Sequence, residues 1–135
     1  MTDEAKGGLD PAAYEDEARE RWGHTDAYKE SARRTQGYTK DDLAGIKAEM
    51  EDIEARMAEL MSSGAPARGD AAMAVAEEAR LHIDRWYYPC SPGMHAGLAD
   101  MYTADPRFRA HYDERAAGLA EFVATAIKAN AARAG

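Results

Sequence analysis

A single cysteine in 135 residues leaves no partner for an intrachain disulfide and sets disulfide-stapled secreted folds aside. Apolar runs are short: none approaches the roughly 18 residues that a membrane span requires. The N-terminus MTDEAKGG is polar and acidic, with no basic segment followed by an apolar one, so no secretory signal is expected. Positive charge is outnumbered and scattered. With 17 lysines and arginines against 25 acidic residues the formal net charge is −8, and no basic stripe offers a footprint for phosphate backbones. Direct nucleic-acid binding is not expected. Runs of alternating β-branched residues are missing, as are a Gly-rich phosphate loop, a GxSxG elbow and an HExxH pair. These absences describe a soluble, cytoplasmic, all-α protein of one domain, with no enzyme signature.

What is present is a series of helix starts. Residues 1 to 9 read as a tail, and Asp10-Pro11 opens a first helix that Gly23 closes. Thr25 or Asp26 can cap a second, DAYKESARRT, ending near Gly37. In TKDD, Thr39 and Asp42 form a capping-box pattern at the start of a third helix running to about Ser62. After the loop SSGAPARG, Asp70 can cap a fourth helix extending through Tyr88, with Met73, Ala76, Ile83 and Trp86 or Tyr87 on one face. Pro89 must end it. Ser91-Pro92 and Asp105-Pro106 start two more, and a last helix over residues 117 to 132 turns Leu119, Phe122, Val123, Ala126 and Ile127 inward. The expected architecture is six to seven helices.

Three features could carry function. Leu43, Ile46, Met50, Ile53, Met57 and Leu60 recur at spacings of 3 and 4, which suits either a coiled-coil arm for a homodimer or an amphipathic helix lying on its own core. His82, Cys90, His95 and His111 lie within thirty residues of one another, but no pair has the spacing that places two ligands on one helical face, so no metal or other cofactor is expected. A haem held by a core histidine is the reading to test against that. Cys90 precedes a helix start with His95 one turn inside it, a setting that can activate a thiol, although a lone cysteine at a tight turn is more often a small buried hydrophobe. Finally, WYYPCSPGMH at 86 to 95 and MYTADPRF at 101 to 108 concentrate aromatics and methionine. Such side chains suit a pocket for a large, partly apolar ligand, or equally a core corner where three helices meet.

The runs RERWGHTDAYKESARRTQGYTKDD, AEEARLHIDRWYYPCSPGMHAGLADMYTADPRF and GLAEFVATAIKANA closely resemble the TipAS antibiotic-recognition domain, over about residues 10 to 132. The ordered motifs RWG-x-TDAY, HI-x-R-x₂-Y-x-C and MY-x₂-D-x-RF carry the likeness. That family forms the C-terminal effector part of certain MerR-type transcription activators and also occurs as free-standing drug-binding proteins. The resemblance implies a globin-like helical domain with a deep cleft for thiopeptides or other polycyclic natural products, and N-terminal helices that fold over the ligand. Residues 10 to 37 would be that mobile lid and 39 to 135 the helical core. Trp86, Tyr87, Met94, His95, Met101, Tyr102 and Phe108 are expected to line the cleft, with Trp22 and Tyr28 closing from the lid.

Two departures qualify the likeness. Thiopeptide-capturing members carry a second, reactive cysteine seven residues after the first. Here Cys90 matches the first and Gly97 stands at the second, so the expected binding is non-covalent. A DNA-binding helix-turn-helix does not precede the resembling segment, which suggests a stand-alone binder, an internally initiated product or an excised domain. A helical dimerisation module of a transcription regulator, with no ligand of its own, is the competing expectation.

Overall fold

The computed structural model describes residue 21 and residues 23–134; the expected first helix, with Trp22 at its end, lies outside the described residues. Among the described residues six helices and no strand are present: α1 Asp26–Gln36, α2 Lys40–Ser62, α3 Asp70–Trp86, α4 Pro92–Ala104, α5 Pro106–Arg115 and α6 Leu119–Ala134. None of them is long and apolar enough to cross a membrane.

The starts follow local chemistry. Thr25 accepts from the Tyr28 N–H at α1, and at α2 the Thr39 hydroxyl and Asp42 carboxylate each accept the other's backbone N–H, completing the capping box. Ser91 and Asp105 cap α4 and α5, each followed by a proline at the first helical turn, where a missing N–H costs nothing. Asp70 departs from expectation: the cap of α3 is Gly69, Asp70 is already helical, and no side chain caps that end. The tight turn in which the Gly69 N–H bonds to the Pro66 carbonyl sets the start instead. Gly64 and Gly118, at φ +87° and +88°, turn the chain before α3 and α6 in a region that L side chains avoid.

The core is a cluster of small and aliphatic side chains from α2, α3, α4, α5 and α6, including Ile53, Met57, Val75, Ala99, Leu119, Val123 and Ile127. Alanines on α3 and α6 let the helix backbones approach closely, and α4 packs most extensively on α6. On α2 the apolar stripe is occupied within the chain: Ile46, Ile53 and Met57 are buried, and Met50 and Leu60 pack partly buried. Leu43 alone of the six stands exposed, at 47%. The amphipathic-helix reading thus describes where these side chains go. The long stripe positions α2 as a floor on which α3 and α6 rest, and α3 in turn carries the corner that faces α1.

Candidate ligand-binding site

The 86 to 95 stretch folds as a proline-forced corner. Tyr87 and Tyr88 both donate their N–H to the Ile83 carbonyl, Pro89 has no N–H to give, and the Cys90 N–H turns to the Asp84 carboxylate at 2.8 Å. Helix α3 therefore stops at Trp86, two residues earlier than expected. Arg80 ties the corner down from beneath, donating to the Cys90 carbonyl at 2.8 Å while paired with Glu77, which also accepts from Asn130 on α6 at 2.9 Å.

Two hollows flank this corner. A groove of about 510 Å³ lies between α1 and the corner, lined by Asp26, Ala27, Lys29, Glu30 and Arg33 on one side and Pro89 and Met94 on the other. Its size falls in the range of small-molecule sites. Met94, exposed at 41%, offers a polarizable apolar contact against the charged wall of α1. On that wall Glu30 accepts from Arg33 and Arg34, which hold its carboxyl down at about 2. The second hollow, only about 20 Å³ and so no larger than a water molecule needs, is a tight apolar gap inside the core, where Met50, Ile53, Ile83, His95, Tyr102 and Tyr112 are among the lining residues.

The expected cleft residues divide between these places. Met94 lines the groove, and Tyr28 stands half-buried on the helix that forms its other wall. His95 and Tyr102 line the core pocket, and Phe108 packs on Tyr102 with ring centres 5.4 Å apart. Met101 is half-buried on α4. Trp86 is engaged in packing: its indole N–H donates to Glu49 on α2 at 2.9 Å, and its ring meets Tyr38 edge-on at 5.9 Å. Tyr87 packs against His82, whose Nδ1 lies 2.5 Å from the same Glu49 carboxylate. His82 first, then Trp86 and Arg85, hold that carboxyl below its ordinary range against the opposing effect of burial. Trp22 lies outside the described residues.

The charged wall, Asp26, Lys29, Glu30 and Arg33, was not among the expected site residues. Its i, i+3, i+4, i+7 spacing puts the four on one face of α1, and that spacing was the available signal.

The thiol and imidazole are poorly suited to chemistry. Cys90 is 1% exposed, and burial pushes its thiol up to about 11, far from a reactive thiolate. Burial likewise pushes the His95 imidazole down to about 4, with Arg80 adding to the effect and Glu77 opposing it. Among the described residues no cluster of three or more metal-ligating side chains occurs.

A helical core with an open groove between α1 and the corner has the geometry of a small-molecule-binding domain. The family profile of the TipAS antibiotic-recognition domain matches residues 14–130, and the chain belongs to that family. It is 44% identical over 130 residues to the HTH-type transcriptional activator TipA of Streptomyces coelicolor, covering 96% of this chain and 51% of that protein. Over 115 residues it is 36% identical to the HTH-type transcriptional activator Mta of Bacillus subtilis, covering 84% of this chain and 43% of that protein. The chain thus spans about half the length of the regulators it matches. Its fold superposes on TipAS from Streptomyces lividans in complex with nosiheptide with a TM-score of 0.87, at 44% identity, covering 97% of this chain and 92% of that one. The antibiotic binding domain of a TipA-class multidrug resistance transcriptional regulator gives 0.62 at 39% identity, covering 66% and 95%.

Proposed function

We propose that this chain binds bulky antibiotic-like natural products of the thiopeptide kind, non-covalently, in the groove between α1 and the 87 to 94 corner. It acts by sequestering or sensing the compound, without chemistry on it. The observation that carries this reading is the groove itself: about 510 Å³, walled on one side by a helix with no fully buried residue, in a chain whose fold matches a thiopeptide complex at a TM-score of 0.87. Met94 and Pro89 supply the apolar face, and the α1 wall supplies donors and acceptors for the amide-rich rim of such a ligand. Trp86, Tyr87, His95, Met101, Tyr102 and Phe108 support the floor of the site, with Trp22 and Tyr28 on the lid side. Ligand contact draws α1 closer to the corner and adds interaction energy against the entropy cost of ordering it.

Native mass spectrometry with a panel of thiopeptides that includes nosiheptide tests the reading. The expected spectrum holds a one-to-one complex that denaturation releases intact, because Gly97 stands where the family's second thiol would be and Cys90 is buried. Absence of any complex at tens of micromolar ligand overturns it. A covalent adduct overturns the non-covalent part alone.

A further inference from the structure

We propose that Arg34 is the positioning residue of the groove: seated on the carbonyls that end α3, it fixes how far α1 stands from the corner opposite. The inference rests on the binding reading above for its ligand and on hydrogen-bond accounting for its geometry. The last carbonyls of a helix have no partner within it, and they carry the negative end of its dipole. In α3 the corner sequence leaves three of these carbonyls without a backbone donor. The Tyr88 N–H, which would serve the Asp84 carbonyl, goes to Ile83. Position 89, which would serve Arg85, is proline. The Cys90 N–H, which would serve Trp86, goes to the Asp84 carboxylate.

The three vacated carbonyls are all taken by side chains from α1 and the turn after it. Arg34 Nη1 donates to Asp84 O at 2.7 Å and to Arg85 O at 3.2 Å. The Tyr38 hydroxyl donates to Trp86 O at 2.5 Å. A guanidinium is apt for this seat because it is cationic, planar and carries donors in several directions. While Nη1 serves the carbonyls, Nε donates to Glu30 at 2.7 Å. No residue of α1 is fully buried, though Tyr28 and Ala32 are half-buried, so this polar seat is a principal anchor of the helix.

Asp84 then links the two walls. Its carbonyl receives Arg34 from α1, and its carboxylate receives the Cys90 N–H from the corner. Glu30 both lines the groove and accepts from Arg34, so an occupant that touches Glu30 lies one hydrogen bond from the seat. Arg34 itself is not among the residues lining the groove. Its effect on a ligand is exerted through the placement of α1.

Amide exchange and nosiheptide affinity, measured on the whole chain, test this for R34A and R34K. In the free wild-type protein residues 26–36 show protection that is weaker than that of residues 40–62 but well above an unstructured peptide. R34A removes most of it, an effect of about tenfold or more for a charge-assisted hydrogen bond. Exchange in α2 to α6 stays unchanged. Nosiheptide affinity falls by a similar factor, mainly through faster dissociation, and R34K recovers part of both losses because one nitrogen can serve a carbonyl but not also Glu30. Unprotected wild-type α1, or protection that R34A leaves intact, overturns the proposal. So does lost affinity without altered exchange, which would make Arg34 a direct ligand contact. A wild-type protein that ignores nosiheptide overturns the binding reading instead, and the exchange measurements still decide the seat.

Discussion

Helices α1 and α6 are 11 and 16 residues long, yet they are held by different forces. Helix α6 buries Leu119, Val123 and Ile127 together with three alanines and Asn130, and each large aliphatic side chain contributes about 1.5–3 kcal/mol by leaving water. Helix α1 has no fully buried residue, only half-buried ones such as Tyr28 and Ala32, and leans on hydrogen bonds to the end of α3, each contributing only about 1 kcal/mol net because water competes for the same groups. The difference teaches how one short chain can combine a floor packed by apolar contacts with a wall anchored largely by polar ones. Apolar contacts set the position of α4 to α6 once, at folding; a polar seat leaves α1 within reach of a ligand's interaction energy.

The largest effect expected from breaking this comparison is on the core side. Ile127, 1% exposed and lining the core pocket, becomes the centre of a larger void in Ile127→Ala, at a cost of about 2–5 kcal/mol. Urea unfolding followed by far-UV circular dichroism should show the midpoint fall for the whole domain, with exchange accelerated in every helix from α2 to α6. A loss below about 1 kcal/mol would mean that α6 is no better anchored than α1.

Acid probes the core through the buried His95 and its surface through the exposed His111. Burial holds His95 in the folded chain at about 4, below its ordinary value of 6.5, so between those two values the unfolded chain binds the extra proton. Stability from this group is therefore present above 6.5 and lost as pH falls toward 4, by about 3 kcal/mol at most. His111 works in the opposite sense: its ring lies 3.0 Å from Glu54, which raises its affinity for the proton. That contribution is full below 6.5 and lost as pH rises through the raised folded value. In His95→Leu the loss of stability between pH 6.5 and 4 should be clearly shallower than in the wild type, as read by urea midpoints across that range. Parallel profiles would show that His95 is solvated in solution.

Much of this was legible because capping is local chemistry. Thr25, Thr39, Ser91 and Asp105 each needed only their neighbours in sequence to mark a helix start. Asp70 misled because the Pro66 to Gly69 turn sets the start of α3 one residue earlier than the side-chain signal. The α2 stripe could not choose between a partner helix and its own core, since a 3-4 spacing describes a face and not what covers it; α3 and α6 supply the cover. Reading the candidate site by aromatic content singled out Met94 and the rings around the corner. It could not see that Trp86 spends its N–H on Glu49, thirty-seven residues away in the chain, or that Lys29, Glu30 and Arg33 face Met94 across a groove. Ordinary surface charges acquire that meaning only when α1 has a place.

The smallest expected effect gives the sharpest version of the comparison, because it uses one residue type in one role at two positions. Thr25 and Thr39 each cap a helix by accepting the N–H three residues on, at 3.2 and 3.0 Å. Removing either hydroxyl by substitution with alanine costs about 1 kcal/mol locally. Helix α2 is part of the cooperative core, so Thr39→Ala should lower the urea midpoint of the whole domain by that amount. Helix α1 is coupled to the core only through its polar seat, so Thr25→Ala should leave the midpoint unchanged while exchange of residues 26–36 quickens about fivefold, the same ~1 kcal/mol read locally. Equal shifts of the global midpoint in the two variants would show that α1 folds with the core as one unit, and a wall that cannot open separately could not close on a ligand.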